Sequence, residues 1–314
     1  MRMKIAHLTS AHPRDDARIF RKMCRSLSGA GHDVTLVVAD GKGDDLNGPI
    51  KVLDAGRSSG RLGRMLTAPR RVQARALGTG ADLYHLHDPE LLPVGLALKR
   101  AGKRVIFDAH EDYPAAIMAK PYLPGFTRPA VAALTGAYLA HAGKRLDGVV
   151  AATPHIRRRF AARGVRCEVV ANYPLTGAGL SVARPRANAV CYVGGLARAR
   201  GLREMLAAID QADGETRLVL AGDLPEWARG IPGWARTDAV GYLSAPDVCD
   251  LLSISVAGLV TLHPTPAYRV ALPVKMFEYM AAGLPVIASD FPLWREIIEG
   301  AECGLWWTPS TPRP

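Results

Sequence analysis

Apolar residues in this chain gather into short runs separated by longer amphipathic stretches, an alternation that predicts buried parallel strands joined by helices. In the first half the runs are residues 4–9 (KIAHLT), 33–38 (DVTLVV), 51–53, 83–86, 104–108 (RVIFD), 148–152 and 168–170. Between them, residues 16–30 place Ile19, Phe20, Met23 and Leu27 on one helical stripe, and Gly31 stands where a left-handed residue closes a helix. Residues 91–101, 129–144 and 155–163 read as further helices. The alternation then lapses over residues 175–188, which are rich in Gly, Ala, Pro and Arg. It restarts with strands expected at 189–193, 217–221, 239–241, 256–262, 285–289 and 305–307, and helices at 202–211, 245–252, 275–282 and 294–299.

Two blocks of strand–helix alternation on either side of a linker predict an α/β protein with two Rossmann-like domains. The expected boundaries are 1–174 for the first domain, 175–188 for the linker and 189–314 for the second. Open parallel sheets bind ligands at the carboxyl ends of their strands, so a cleft between two such sheets is the expected active site.

Composition narrows the class. No run of about 18 apolar residues exists to cross a membrane, and the N-terminus enters a strand without a signal-peptide pattern, so a cytoplasmic location is expected. The five cysteines are scattered, with no CxxC pair, which argues against a disulfide framework and a structural cysteine zinc site. The net charge of +11 is uneven. Up to Asn172 there are 28 Lys+Arg against 15 Asp+Glu, giving +13, and the remainder carries 12 against 14, giving −2. The first half is therefore expected to meet something anionic, such as the inner face of a membrane or a pyrophosphate-linked lipid. The segment 57–77, with Arg57, Arg61, Arg64, Arg70, Arg71 and Arg75 among Leu62, Met65, Leu66 and Val72, reads as an amphipathic basic helix divided at Pro69. Nucleic-acid binding is not expected, because aromatics make up only 6% and no reading motif occurs. No GxGxxG follows the first strand, which argues against a dinucleotide dehydrogenase.

Candidate chemistry concentrates at predicted strand ends. Lys275 and Glu278 lie three apart on one helix face, and a carboxylate beside a lysine suits a sugar hydroxyl pair plus a phosphate; the same spacing also makes a plain surface ion pair. Arg198 and Arg200 sit just before a helix start, where cations and amides together hold a diphosphate. Asp15, Asp16 and Arg18 line the loop after the first strand, and Asp16 equally suits the N-cap of the next helix. His85 and His87 alternate, and the reading sets them on opposite strand faces as a poor metal pair. No metal is expected, and no other cofactor.

Several of these segments together resemble retaining glycosyltransferases of family 4, which have the two-domain GT-B fold, with parallel sheets facing across a cleft. The strongest is 273–289 (PVKMFEYMAAGLPVIAS), similar to the family's donor-binding signature. Residues 12–20 (HPRDDARIF), 84–92 (YHLHDPELL) and 107–114 (FDAHEDYP) resemble loops of bacterial polysaccharide-assembly members, and 192–201 (YVGGLARARG) resembles the first loop of the donor domain. The resemblance implies that Glu278 holds the ribose of a nucleotide-sugar and that Lys275 lies near the diphosphate, while the turn at Gly283 brings backbone amides to the donor. It also implies that His110 touches the donor sugar. His87, Asp88 and Glu111, with Asp15, Asp16 and Arg18, are the implied acceptor side. The implied partners are a nucleotide-sugar donor and a glycan or polyprenyl-linked acceptor.

Three departures from the family pattern stand out. Val270 occupies the position of a first glutamate eight residues before Glu278, Gly194-Gly195 replaces Gly-Arg, and the sequence stops at Pro314, short of helices the family usually adds. Arg198 and Arg200 are expected to supply the missing cationic charge. The alternatives are a regulatory nucleotide-sugar-binding protein and a GT-B nucleotide-sugar epimerase using Glu111 and Asp112 for acid/base work.

Overall fold

A computed structural model of the chain describes residues 2–118, 120, 123–175, 188–212 and 214–308, with the side chains of 61 and 62 set aside. The chain divides into two compact units, Met1–Ala171 and Asn172–Pro314. The expected linker, 175–188, falls outside the described residues except at its two ends.

The first unit is built on eight strands: β1 Lys4–Leu8, β2 Asp33–Val38, β3 Asp45–Asn47, β4 Ile50–Asp54, β5 Leu83–Leu86, β6 Arg104–Ala109, β7 Gly148–Ala151 and β8 Cys167–Val169. Their order is β3-β4-β2-β1-β5-β6-β7-β8, parallel but for the hairpin of β3 with β4. Strands that are buried on both faces need apolar residues at successive positions, and β2 meets this with five buried residues after Asp33. One face of the sheet packs Ala6, Leu8, Tyr84, Leu86 and Phe107 against helices that contribute Leu92, Leu98, Leu139 and Phe160. On the other face, Val34, Leu36 and Val38 pack with Ile19, Phe20 and Cys24.

That second face is covered by the segment after β1. The helix expected at 16–30 begins as a π-helix over Ala17–Cys24, in which Arg21 N–H donates to Asp16 C=O at 3.1 Å, and tightens to an α-helix over Arg25–Gly29. The basic segment forms two helices, Gly60–Leu66 and Ala68–Leu77, with Pro69 in the first turn of the second. Its charges are partly used internally: Arg64 reaches Glu90, Arg71 donates to Ser58, and Arg75 pairs with Asp44. The helix Tyr113–Met118 and strand β3 carry no buried residues, and neither was expected from the pattern.

The second unit holds β9 Ala189–Val193, β10 Arg217–Ala221, β11 Thr237–Gly241, β12 Ala257–Val260, β13 Val286–Ser289 and β14 Gly304–Trp307. Their order is β11-β10-β9-β12-β13-β14, all parallel. Tyr192, Leu202, Leu206 and Leu220 fill one side of this sheet, and Met276, Tyr279, Val286 and Trp294 the other. Among the described residues, no helix is long and apolar enough to cross a membrane.

Candidate functional site

In the second unit, β9 ends in a turn that the sequence shapes closely. Gly194 has φ 121° and leads through Gly195 to a 3-10 turn, Arg198–Arg200, and then to the helix Leu202–Gln211. Gly201 starts that helix at φ 76°, where a Cβ would stand 2.0 Å from the Thr261 carbonyl oxygen, so only glycine fits. Across from this turn the helix Val274–Ala281 buries Met276 and Tyr279 and is closed by Gly283, with Leu284 N–H donating to Tyr279 C=O at 2.9 Å. The Tyr279 hydroxyl accepts from Val193 N–H at 3.0 Å, locking this helix to the end of β9.

That lock carries Lys275 to the glycine turn. Its Nζ lies 3.5 Å from the centre of the Tyr192 ring, and a Cβ on Gly194 would stand 3.1 Å from it. The residue as a whole is half-buried, but Nζ itself is buried and makes no hydrogen bond among the described residues. Burial pushes its pKa well below the ordinary lysine value, and the Arg200 charge adds to the shift. Arg200 Nη1 reaches Gly195 C=O at 3.4 Å, so Arg200, Lys275 and the Gly194–Gly195 turn come together. Glu278, half-buried on the Lys275 face of the helix, is close enough for its charge to favour protonated Lys275. Arg198 goes elsewhere, stacking its guanidinium 4.7 Å over Trp227. Two cations therefore crowd one glycine turn beside a helix start, an arrangement that attracts a diphosphate.

In the first unit the ends of β1, β5 and β6 gather a second polar group, mostly satisfied within the protein. Asp88 accepts from Thr9 Oγ1 and Ser10 N–H at 2.7 Å each and from Ala11 N–H at 3.2 Å, and its other oxygen faces His12 Nδ1 at 3.0 Å. Burial raises the Asp88 carboxyl, but His12 and these donors outweigh it and hold the group well below the usual carboxylate range. His12 rises in turn, its Asp88 contact overcoming its own burial. The His12 ring meets the His110 ring edge-on at 5.0 Å. Burial lowers His110, whose Nδ1 is buried without a hydrogen bond among the described residues.

The residues expected on the acceptor side divide. Asp16 takes the capping role, accepting from Arg18 and Ile19 N–H at 2.9 and 2.8 Å. Arg18 is buried and forms a two-pronged pair with Asp108, Nε to Oδ2 at 2.8 Å and Nη2 to Oδ1 at 2.7 Å, and donates to Val170 C=O. His87 is wholly buried, with Nδ1 3.2 Å from Asp108. Arg18, His87 and Asp88 thus hold the loops in place from behind, and of these residues Asp15 and Glu111 are the exposed ones. Glu111 lines a hollow with Tyr113, Arg159 and Arg163.

One expectation is corrected outright. His85 and His87 share a face, because residues two apart on a strand point the same way. Their rings lie 4.6 Å apart, and His7 joins them from β1, where it pairs in register with His85. A histidine cluster therefore exists where none was expected. His7, His12 and Asp108 were not singled out as site residues; His12 and Asp108 lie within the quoted motifs, and His7 requires the β1–β5 register.

Two largely parallel α/β units, one ending a strand in a cationic glycine turn, form an architecture suited to a ligand that carries phosphate. Residues 17–173 match the model of glycosyltransferase family 4, and residues 187–313 match that of glycosyl transferases group 1. The chain belongs to this family and is a glycosyltransferase of GT-B fold. It is similar in fold to sucrose-phosphate synthase from Thermosynechococcus elongatus, at 19% identity and TM-score 0.72 over 99% of this chain and 87% of that one. WaaG, a glycosyltransferase involved in lipopolysaccharide biosynthesis, matches at 17% identity and TM-score 0.71, covering 97% and 86%. The Anabaena protein HepE, in complex with UDP and glucose, matches at 17% identity and TM-score 0.67, covering 98% and 86%. No curated protein sequence matches the chain.

Proposed function

We propose that the protein transfers a sugar from a nucleotide-sugar to a glycan or lipid-linked glycan, with retention of anomeric configuration and without a metal in the reaction. The carrying observation is the Lys275 ammonium, buried, without a hydrogen bond, and beside Arg200 at the Gly194–Gly195 turn. A buried cation without an acceptor is costly, and a diphosphate oxygen is the acceptor that fits. In this reading Lys275 and Arg200 hold the diphosphate and stabilise its charge as the sugar–phosphate bond breaks, and Glu278 accepts from the ribose hydroxyls. The acceptor oxygen attacks the anomeric carbon from the leaving-group side, and its proton passes to the departing phosphate. No protein base is then required. The fold neighbour HepE, seen with UDP and glucose, supports a uridine nucleotide as the first donor to try. The charge of the first half supports an acceptor presented at an anionic membrane surface.

A thermal-shift panel of UDP-, GDP-, ADP- and dTDP-sugars tests the reading. One nucleotide series should stabilise the protein, and transfer should proceed at the same rate with and without added Mg²⁺ or Mn²⁺. Stabilisation without transfer to any acceptor points to a binding protein instead, and a changed donor sugar without acceptor points to an epimerase. Retention is read from the anomeric configuration of the product. Failure to sediment with anionic liposomes at low salt removes the membrane part.

A further inference from the structure

The histidine cluster of the first unit is absorbed by none of this. His7 and His85 face each other in register across β1 and β5, and His87 follows on the same face. Their ring centroids are 4.9, 4.6 and 5.2 Å apart, all three side chains are buried, and one nitrogen from each lies within 4.8 Å of the others. Two ring nitrogens of the cluster are orphans: His7 Nε2 and His85 Nε2 are buried without a hydrogen bond among the described residues. A buried polar atom left so costs about 1–3 kcal/mol, and two in one cluster call for an explanation such as a bound ion.

The remaining contacts set the tautomers. With Asp108 ionised, His87 Nδ1–H donates to it at 3.2 Å, which leaves His87 Nε2 to accept from His7 Nδ1–H at 2.9 Å, a bond that an ion on His87 Nε2 would replace. A carboxylate behind an imidazole, fixing which nitrogen points inward, is the usual support of a metal-ligating histidine. Bonds of about 2.0–2.1 Å to nitrogen require ligand atoms roughly 3.3 Å apart, within reach of small ring rotations from the present spacing.

We propose that His7, His85 and His87 together bind one divalent transition-metal ion of the zinc class. Neutral imidazoles select such borderline ions over magnesium or calcium. All three side chains are buried, so the ion is structural. It ties β1 to β5 beneath the loop that Asp88 organises, and it takes no part in the transfer proposed for the second unit.

The test is metal content by mass spectrometry on the full chain, grown in zinc-supplemented medium and exchanged into chelator-washed buffer. About one equivalent per chain is expected in the wild type, and less than a tenth in His85→Gln and His7→Gln. Refolding in cobalt should give ligand-field absorption without a thiolate charge-transfer band, which separates this site from Cys24 and Cys191. Wild-type protein holding less than a tenth of an equivalent and showing no cobalt spectrum overturns the proposal, leaving a hydrogen-bonded histidine cluster. So does metal that stays bound in both folded glutamine variants. Should the variants fail to fold, the wild-type cobalt spectrum decides alone.

Discussion

The strand ends of the two units handle charge in opposite ways. In the first, Arg18 is matched to Asp108 by two hydrogen bonds, and Asp88 is surrounded by two hydroxyls, two backbone amides and a histidine. In the second, Lys275 is buried against an aromatic ring with no hydrogen bond and a second cation nearby. Both arrangements are costly to desolvate, but only the first recovers the cost inside the protein. Matched charges fix loops; the unmatched one is where we propose the diphosphate binds.

Breaking the matched pair should have the largest effect. Arg18→Met leaves Asp108 buried and uncompensated, and a loss of about 3–5 kcal/mol in urea unfolding is expected. The double variant Arg18→Met/Asp108→Leu should recover much of that loss; if it does not, the pair is not what the residues contribute. Lys275→Met sharpens the contrast, because it should move stability and function in opposite directions. Removing an unmatched cation should raise stability by about 1 kcal/mol. Donor binding should weaken by about 1.5–3 kcal/mol, or roughly ten- to a hundredfold in Kd. A variant that binds donor as well as wild type would place the diphosphate elsewhere.

The difference between the two ends was only partly legible in the sequence. The parallel strands were readable because burial on both faces forces unbroken apolar runs such as DVTLVV. Strand β3 was not, because Asp45, Leu46 and Asn47 are all exposed and leave no pattern. The helix and glycine turn of the PVKMFEYMAAGLPVIAS segment were readable, but which of Arg198 and Arg200 lies beside Lys275 was not. That choice depends on Trp227, which captures Arg198 from a distant part of the chain. The burial of Lys275 likewise depends on Tyr192, and the structural use of Arg18 depends on Asp108, ninety residues away. Long-range partners turn a candidate ligand contact into a fastener, and spacing along the chain does not reveal them.

A smaller effect separates fastening from binding within the first unit. Asp16 caps the helical segment after β1 through Arg18 and Ile19 N–H. Asp16→Ala should therefore lower stability by about 1 kcal/mol, seen as a reduced Tm. It should leave donor affinity unchanged, and a large loss of donor binding would return Asp16 to the site.

The subtlest expected signal is a proton. Lys275 in the folded protein has a pKa below its ordinary 10.5, so between these two values the unfolded chain binds more protons than the native one. Its burial therefore costs stability as pH falls from 10.5 through the lowered value, and the advantage of Lys275→Met should vanish at the alkaline end of that window. A bound diphosphate reverses the shift by giving the ammonium an acceptor, so binding must take up part of a proton wherever the free lysine is partly neutral. Donor affinity should then decline as pH rises, by at most about 1.4 kcal/mol per pH unit. The two phosphates of a nucleotide-sugar are already diesters and do not titrate in this range, so the proton belongs to the protein. Calorimetry in buffers of different ionisation enthalpy measures the uptake directly. It should be a positive fraction in the wild type and zero in Lys275→Met; equal values in both would mean that Lys275 does not meet the diphosphate.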